Sequence, residues 1–469
     1  MKISKKVLSI LLTVCVLFTA VIAVPVSANQ FKYGDANQDN LVNSVDATLV
    51  LQYYANIINS EQDSNFLTYS DVNGDKIINS VDVTLILQYY SNIISVFPVE
   101  SSSAPEEPLQ ETTTLLMEDL TVTTSMPNAV SQNGSTITIS EGGEYILSGE
   151  WNGTIIVNAP SDTEVILTLN GANITCNTDN PIYIASADKA IVKAQSDTTN
   201  TITDGRISTN SSTDSGGAIY SKSDLTIGGQ GTLTVNSTYN NGIHTKKDLK
   251  VQKLNLSVTA PNNALKGNDS VQILSGVINL TSTNGDGVKT TNSNISSKQK
   301  QRGTISIGNQ IDTTTSVDVT ILALSDGIDA TYDVNIYPNS TVKIGTYGVS
   351  DGADVSTLTN AAIKADNSVN ISGGNLTIAN INKAVSAKNT IQLETLQYGI
   401  GDVIIANATI TVNNVNHAIT ADRNFNIDNS TITITSTQTT DIIRCQTYTN
   451  TNNTGVIKLN GNDYSVTTI

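Results

Sequence analysis

A three-residue pattern recurs through the second half of the chain and limits the folds that it can adopt: a small residue, then an aliphatic one, then a polar or charged one. Successive copies begin 22, 23, 40, 35, 22 and 34 residues apart. They are Gly242-Ile243-His244, Ala264-Leu265-Lys266, Gly287-Val288-Lys289, Gly327-Ile328-Asp329, Ala362-Ile363-Lys364, Ala384-Val385-Ser386 and Ala418-Ile419-Thr420. A fixed period of this length is typical of solenoids, whose insertions fall in loops. The triplets therefore predict stacked coils of 22 or 23 residues, with loops inserted where the spacing is longer.

Between the triplets, apolar and polar residues alternate with a period of two, which is typical of strands. A second strand follows each triplet, for example Asp248–Val251, and then a third, for example Leu254–Val258. Aromatic residues are too few for an ordinary sandwich core, with one Trp in 469 residues. We therefore predict an all-β domain over residues 115–469, a parallel β-helix with three strands per coil, in which residues 115–190 form a distinct N-terminal cap.

Stacking in register turns each position of the triplet into a column along the solenoid. Because the aliphatic residue points inward, the next residue points outward, and that column reads His244, Lys266, Lys289, Asp329 and Lys364. We interpret His244, Lys266, Lys289 and Lys364 as a basic strip that binds substrate. The alternative is that they are ordinary exposed strand residues that protect against aggregation.

Acidic residues precede two neighbouring triplets. Asp286 and Asp326 fall on adjacent coils if the extra residues between them loop out, and two carboxylates about 5 Å apart repel unless a cation lies between them. The sequence therefore predicts a Ca²⁺ site at Asp286 and Asp326, with Asp329 and Asp333 as further candidates. The alternative is that Asp-Gly is simply a favoured turn dipeptide here.

A twelve-residue segment occurs twice near the N-terminus, at Asp35–Asp46 and Asp71–Asp82. EF-hand loops bind Ca²⁺ through oxygens at positions 1, 3, 5, 7, 9 and 12, and both segments offer oxygens at these positions, so we predict two Ca²⁺ sites. The predicted ligands are Asp35, Asn37, Asp39, Leu41, Asn43 and Asp46 in the first loop and Asp71, Asn73, Asp75, Ile77, Asn79 and Asp82 in the second. Position 12 is Asp rather than Glu, and no helical pattern precedes either loop.

Each loop is followed by a helical run, Leu49–Tyr54 or Leu85–Tyr90. This duplicated loop–helix unit with Asp at position 12 resembles the type I dockerin of cellulosome enzymes, over residues 33–97. The resemblance implies binding to a cohesin module of a scaffold protein. It implies contacts at Ser44, Val45, Leu51 and Gln52 and, in the second copy, at Ser80, Val81, Leu87 and Gln88. The two sets are identical, so either helix is expected to be able to face the cohesin. A free-standing calcium buffer is the alternative.

The remaining segments indicate secretion. Residues 1–28 combine three lysines with a long apolar run and a small-residue exit, as secretory signal peptides do, and we expect no membrane span once they are removed. We assign residues 29–97 to the dockerin. Residues 98–114 are rich in Pro, Ser, Thr and Glu and are expected to form a linker.

Charge and cysteines limit the partners further. The chain carries −17, and residues 1–28 hold three Lys and no acid, so the chain without them carries −20. This charge excludes nucleic acid as a partner. Cys176 and Cys445 lie near opposite ends of the predicted solenoid, too far apart for a disulfide, so we expect two free thiols.

The runs Asp286–Lys289, Asp326–Ala330 and Gly217–Ile227 resemble a family of calcium-containing right-handed parallel β-helix proteins of cellulolytic bacteria, which bind cellulose and acidic sugars such as polygalacturonate. The resemblance covers about residues 115–469. It implies a right-handed solenoid with a plant cell-wall polysaccharide as its partner, in a secreted protein of the cell-surface cellulosome. No catalytic residue is assigned. A calcium-dependent, pectate-lyase-like polysaccharide lyase and a structural or adhesive spacer remain as alternatives.

Overall fold

The structure is a computed structural model of the 469-residue chain. It describes residues 32–54, 58, 66–74, 78–91, 94, 96–101, 112–207, 216–311, 314–388, 391–392, 397–398 and 400–468. The expected signal peptide, residues 102–111 of the expected linker, and the predicted ligands Asp75 and Ile77 lie outside the described residues. The chain divides into two compact units, Met1–Glu111 and Thr112–Ile469.

The described part of the first unit is helical. Its helices are α1 (Ser44–Tyr54), α2 (Phe66–Ser70), α3 (Ser80–Tyr90) and α4 (Pro98–Ser101). The helical runs expected after the two loops are confirmed as α1 and α3. Asn79 caps α3, since its side chain accepts a hydrogen bond from the Val81 N–H while the Asp82 side chain accepts one from the Asn79 N–H. Val50 and Ile86 are fully buried between the helices and form the centre of a small core.

Two short helices were not expected. Helix α2 directly precedes the second loop, so the prediction that no helix precedes either loop was wrong there. Five residues carry too little periodicity to be recognised; burial of Phe66, whose ring centroid lies 5.2 Å from that of Tyr53, stabilises the turn. Helix α4 occupies the start of the expected linker, and the Val99 N–H donates to the Val72 carbonyl over 3.1 Å.

The second unit is built on three ladders of parallel strands. Ladder A contains β4 (Thr136–Ile139), β6 (Thr154–Asn158), β8 (Ile182–Ser186), β11 (Gly217–Ser221), β14 (Asn241–Thr245), β17 (Leu265–Gly267), β20 (Val288–Lys289), β23 (Ile328–Ala330), β26 (Ala361–Ala365), the second halves of β28 (Gly374–Ala387) and β32 (Ala408–Ala421), and β35 (Ile443–Arg444). Ladder B contains the first halves of β5 (Gly143–Asn152) and β7 (Glu164–Cys176), then β9 (Lys189–Ala194), β12 (Asp224–Gly229), β15 (Asp248–Val251), β18 (Ser270–Ile273), β21 (Thr304–Ile307), β24 (Asp333–Ile336), β27 (Ser368–Ile371), β31 (Asp402–Ala406), β33 (Asn424–Asp428) and β36 (Thr447–Asn450).

Ladder C completes each coil. It contains the second halves of β5 and β7, then β10 (Thr199–Asp204), β13 (Thr232–Ser237), β16 (Leu254–Ala260), β19 (Gly276–Ser282), β22 (Val317–Ala323), β25 (Ser340–Thr346), the first halves of β28 and β32, β34 (Thr431–Thr435) and β37 (Val456–Leu459). The other strands are β1 (Thr113–Met117), β2 (Leu120–Thr124), β3 (Val130–Asn133), β29 (Ile391–Gln392), β30 (Gln397–Tyr398) and β38 (Asn462–Asp463). Short 3₁₀ turns lie at Pro127–Ala129 and Thr451–Asn453.

The triplets lie directly over one another in ladder A, as predicted. Their aliphatic residues pair in the order Ile243, Leu265, Val288, Ile328, Ile363, Val385 and Ile419, all of them fully buried. Val288 pairs with Ile328 across a spacing of 40 residues, so the extra residues loop out of the coil. Each such side chain contributes about 1.5–3 kcal/mol by its burial, which is how the repeat specifies the stacked solenoid. The right-handed sense stays a prediction.

The N-terminal cap is shorter than the predicted 115–190. Parallel pairing already joins Thr136 to Thr154, so the solenoid begins at β4. In the cap, β1, β2 and β3 pair in antiparallel fashion, against one another or against β5 and β4. The early coils lack the triplet, which is why their sequence did not reveal them. The antiparallel strands cover the first coil, where an open strand edge would otherwise pair with another chain.

Among the described residues, none of the helices is long and apolar enough to span a bilayer. Cys176 and Cys445 are both buried and free.

Glycine at the first triplet position permits close approach of the next coil. A Cβ at Gly327 would lie 2.5 Å from Cγ2 of Ile344 and 2.6 Å from the Ala362 carbonyl oxygen. We expect Gly327→Ala to lower the free energy of unfolding by about 1–3 kcal/mol, because overpacking forces strain on its neighbours. Gly228→Ala is the matched control, since a Cβ there comes no closer than 3.4 Å to Gln252. Thermal unfolding followed by circular dichroism checks this; equal midpoints for the two variants contradict it.

Candidate functional site

The first predicted calcium loop closes around the carboxylate of Asp46. This residue is fully buried; one carboxylate oxygen accepts the Asn37 N–H over 3.1 Å and the other accepts the Asn43 N–H over 2.9 Å. At the start of the loop, Asp35 is 3% exposed and accepts the N–H groups of Asp39 and Asn40, over 3.0 and 2.8 Å. The loop therefore brings its first and last carboxylates together through backbone hydrogen bonds.

Asn40, at position 6 of this loop, has a φ of 69°. That left-handed conformation is the one for which Gly is usual at this position, and Asn adopts it more readily than most residues. Asn40 therefore makes the turn of the loop in the backbone conformation that Gly usually provides. The corresponding Lys76 lies outside the described residues.

The second loop repeats the same closure. Asp82 is fully buried and accepts the N–H groups of Val72 and Asn79, over 3.1 and 3.0 Å. Asp71 accepts the Gly74 N–H over 2.8 Å. The two loops thus share the contact between positions 9 and 12, and in each a backbone N–H near the start of the loop, from Asn37 or Val72, also donates to the position-12 carboxylate.

The chemistry of both loops fits Ca²⁺. Burial raises the pKa of Asp46 and of Asp82 above the ordinary value, against the backbone hydrogen bonds that lower it. A divalent cation offsets that cost of burial, and carboxylate and amide oxygens are the donors that Ca²⁺ prefers. Among the described ligands, Asp35, Asn37 and Asp39 would hold the ion in the first loop together with Leu41, Asn43 and Asp46; Asp71, Asn73, Asn79 and Asp82 would do so in the second.

The residues expected to contact a cohesin lie on α1 and α3. Val45 and Val81 are 53% and 49% exposed. Ser80 is exposed, and Ser44, Gln52 and Gln88 are partly buried. Leu87 is exposed, whereas Leu51 packs partly against the core. The two faces are therefore identical in sequence but differ in exposure at the leucine and at the serine, since Ser80 is exposed and Ser44 is partly buried.

The acidic residues predicted to bind Ca²⁺ in the solenoid do come together. Ligand oxygens of Asp286, Asp326 and Asp329 lie within 4.8 Å of one another. The Lys289 ammonium, however, lies 2.6 Å from Asp286 and 2.8 Å from Asp329. The Lys364 ammonium lies 2.9 Å from both Asp326 and Asp329. Two ammonium groups thus provide the positive charge that the stacked carboxylates require, and a Ca²⁺ ion at Asp286 and Asp326 stays a prediction.

These contacts set the charge states of the cluster. Burial lowers the pKa of Lys289 and of Lys364, but the neighbouring carboxylates outweigh burial and raise both above the ordinary value. Burial raises the pKa of Asp329, yet the two ammonium groups outweigh it and hold that pKa below its usual value. The lysines are therefore ammonium ions and Asp329 is a carboxylate at neutral pH.

The predicted basic strip is not a continuous exposed surface. His244 and Lys266 are each 1% exposed, so the expectation that both side chains face solvent was wrong. Lys289 and Lys364 retain 29% and 23% exposure but are engaged by the aspartates. Alternation along a strand shows only that a side chain points away from the core; it does not show whether other parts of the chain cover it.

The Asn and Asp residues just before the triplets form a ladder of hydrogen bonds between coils, a role that their sequence pattern did not predict. Asn241 Oδ1 accepts the Asn263 N–H over 3.2 Å, and Asn263 Oδ1 accepts the Asp286 N–H over 3.2 Å. Asp286 Oδ1 then accepts the Asp326 N–H over 2.9 Å, and Asp326 Oδ1 accepts the Ala361 N–H over 2.7 Å. These residues join successive coils, which gives Asp286 and Asp326 a structural role besides any ligand. The recurrence of Asn or Asp just before the triplet was the available signal.

Comparison with known proteins identifies both units. Residues 133–401 match a family described as "Carbohydrate-binding domain-containing protein", and residues 33–90 match the type I dockerin domain. A carbohydrate-binding domain-containing protein of Acetivibrio thermocellus is 39% identical over 128 residues, which are 26% of this chain and 45% of the relative. The match thus spans less than half of that relative. A solved structure titled as the polysaccharide lyase-like protein from C. thermocellum, a gadolinium derivative, is 33% identical and covers 52% of this chain and 90% of its own, with a TM-score of 0.44.

Proposed function

This chain belongs to the family of carbohydrate-binding domain-containing proteins and carries a type I dockerin domain, and from that premise we propose that it is a secreted, cellulosome-associated protein that binds plant cell-wall polysaccharide. The observation that carries the proposal is the presence of both units in one chain. A dockerin functions by binding a scaffold protein. A carbohydrate-binding solenoid on that scaffold would hold polysaccharide close to the other proteins that the scaffold carries.

The dockerin anchors the chain through a cohesin module. Two Ca²⁺ ions, one in each loop, order α1 and α3, and either helix then presents its exposed valine to the cohesin. The support is the matching closure of the two loops on Asp46 and Asp82 and the similar exposure of Val45 and Val81.

The ligand of the solenoid is an acidic polysaccharide such as polygalacturonate. A chain of net −17 binds a polyanion only where cations concentrate locally, and Lys247 and Lys298 of the solenoid form no ion pair with a carboxylate that the structure describes. Cellulose has less support, because flat sugar platforms use exposed aromatic rings and the one Trp of the chain, Trp151, is 2% exposed.

Binding is favoured over lyase catalysis at the triplet column. A lysine that acts as a general base needs a lowered pKa, whereas the carboxylates around Lys289 and Lys364 raise theirs. Neither lysine is therefore suited to remove a proton from a uronate. The spacer alternative predicts partner binding through the dockerin alone.

The test is retention of the full-length protein on polygalacturonate and on cellulose, with and without a chelator. We expect retention on polygalacturonate. Failure to bind either polymer would falsify the proposed function and favour the spacer. Incubation with polygalacturonate and Ca²⁺ at alkaline pH, followed by ultraviolet absorbance of unsaturated products, tests the lyase alternative, and we expect no increase.

A further inference from the structure

A groove of about 400 Å³ lies on the outer face of ladder B. One side is formed by the starts of strands β12, β15 and β18, and the other by the loop of residues 291–303 that separates β20 from β21. A smaller groove of about 210 Å³ continues from it along the same strands and shares Asp224, Asp248 and Lys300 with it. Together they form a channel whose walls are polar and charged.

The loop that forms the wall is fixed to the solenoid. Lys300 Nζ lies 2.6 Å from Asp248, and Arg302 Nε lies 2.9 Å from Asp269. The side-chain amide of Asn292 donates to the same Asp269 carboxylate over 2.6 Å, and the Gly303 N–H donates to the backbone carbonyl of Asp269 over 2.6 Å. Because Asp269 is 7% exposed and holds three of these contacts, the wall is a built part of the coil.

The same ion pairs decide which charges remain for a ligand. Asp248 and Asp269 are neutralised by Lys300 and Arg302, so they do not repel an anion. Lys247 and Lys298 line the groove, are exposed, and form no ion pair with any residue that the structure describes. Asp188 and Asp224 also line the groove without an ion-pair partner among the described residues, so the lining holds five basic side chains against four carboxylates. The groove therefore has a small excess of positive charge, with at least one lysine on each wall outside any ion pair that the structure describes.

Lys222, Asp224 and several serines also line the groove. Lys222 lies 5.6 Å above the ring of Tyr183 and has no carboxylate partner among the described residues. Burial raises the pKa of Asp224, whose carboxylate also accepts the Asp248 N–H over 3.2 Å. Serine hydroxyl groups at the rim, including Ser297, add donors and acceptors suited to sugar hydroxyls. The lining thus combines ammonium groups for carboxylates with hydroxyl and carboxylate groups that can hydrogen-bond sugar hydroxyls.

We infer that this groove, rather than the triplet column, is the carbohydrate site, and that Lys247 and Lys298 bind the carboxylates of a uronic acid oligosaccharide between the strands of ladder B and the 291–303 loop. This inference rests on the proposed function and adds the location of the site. Coils stack at about 4.8 Å, close to the length of one sugar residue, so a chain along the solenoid axis places successive sugars over successive coils. The triplet column lacks free cations, because Lys289 and Lys364 are paired and His244 and Lys266 are buried.

The test uses full-length protein with Lys247 and Lys298 both replaced by Gln, and a galacturonate oligosaccharide as the probe in isothermal titration. We expect the affinity to fall at least tenfold, since two charge-assisted contacts are lost, and the dependence of wild-type affinity on salt to weaken in the variant. Lys343→Gln, an exposed lysine on ladder C, is the matched control and should bind within twofold of wild type. Equal unfolding midpoints establish that all three proteins are folded.

The possible outcomes distinguish an error in the location of the site from an error in the proposed function. Wild-type affinity in the double variant overturns the placement of the site while leaving carbohydrate binding intact. A tenfold loss in the Lys343→Gln control as well shows a nonspecific charge effect and also overturns the placement. Absence of binding by the wild-type protein to this oligosaccharide and to polygalacturonate overturns the acidic-sugar function and this inference with it.

Discussion

Removal of Ca²⁺ is expected to abolish binding of the full-length protein to a cohesin and to unfold the region of residues 33–97, while the unfolding transition of the solenoid stays in place. The fully buried carboxylates of Asp46 and Asp82 have no cationic side chain paired with them among the described residues. A unit this small has little core with which to offset them. Its metal-binding free energy is therefore largely its folding free energy.

The magnitude follows from linkage. An ion present at about 1,000 times its dissociation constant stabilises the folded state by about 4 kcal/mol per site. Removal of both ions therefore costs more free energy than the total stability of most domains of this size. Cohesin binding measured by surface plasmon resonance, before and after a chelator, checks the prediction. Restored binding on adding Ca²⁺ is the control. Undiminished binding in excess chelator would show that the loops do not depend on the ion.

Lys289→Met is expected to destabilise the solenoid strongly and to make its stability depend on Ca²⁺ more than that of the wild-type solenoid does. The substitution leaves Asp286 and Asp329 facing each other without their shared ammonium group. Breaking a buried ion pair on one side typically costs about 3–5 kcal/mol, and the 29% exposure of Lys289 places the expected loss near the lower end, about 3 kcal/mol. The three carboxylates then become a site that Ca²⁺ can occupy.

The directions of the pKa shifts determine how the stability that these ion pairs provide changes with pH. The pKa of Asp329 is held below its usual value, so its stabilising contribution is present above the ordinary carboxylate range and is lost as pH falls through it. The pKa of Lys289 is raised, so the contribution of its ammonium group persists until strongly alkaline pH. The penalty of Lys289→Met should therefore be large at neutral pH and shrink in acid, where the carboxylates are protonated in both proteins.

Calorimetric unfolding of wild type, Lys289→Met and the control Lys343→Met, with and without Ca²⁺, measures this. We expect millimolar Ca²⁺ to raise the midpoint of the solenoid transition in Lys289→Met alone. If Lys289→Met unfolds at the wild-type midpoint, the ion-pair account of the cluster fails. If Ca²⁺ raises the midpoint of the wild-type solenoid equally, the ion binds the aspartates beside the lysines, as the sequence predicted.

The repeat made the fold predictable to the level of single residue pairs. A solenoid coil has no alternative partner for its buried aliphatic residue, so the spacing from Ile243 to Leu265 and from Val288 to Ile328 determines the register. The duplicated loop–helix unit was predictable for a similar reason, since a metal loop needs its oxygens at fixed positions. Helix α2 was not, because contacts distant in sequence stabilise its five residues.

The site was predictable only in part. The sequence correctly predicted that Asp286 and Asp326 lie close together. It could not show that Lys289 and Lys364 form ion pairs with them, because the flexible side chain of a lysine can place its ammonium group in many positions. The groove on ladder B was missed altogether. Its one sequence signal was the cluster of Lys298, Lys300 and Arg302 within an insertion, and the fold of an insertion does not follow from the repeat.

The central claim is that one chain joins a cellulosome scaffold to a plant polysaccharide, and a bridging assay tests it most directly. Cohesin immobilised on beads is loaded with the full-length protein in Ca²⁺ and then exposed to fluorescent polygalacturonate. The account predicts that the polymer is retained only when the protein is present, and that a chelator releases protein and polymer together. Beads that hold the protein but retain no polymer, with cellulose also failing to bind, would contradict it.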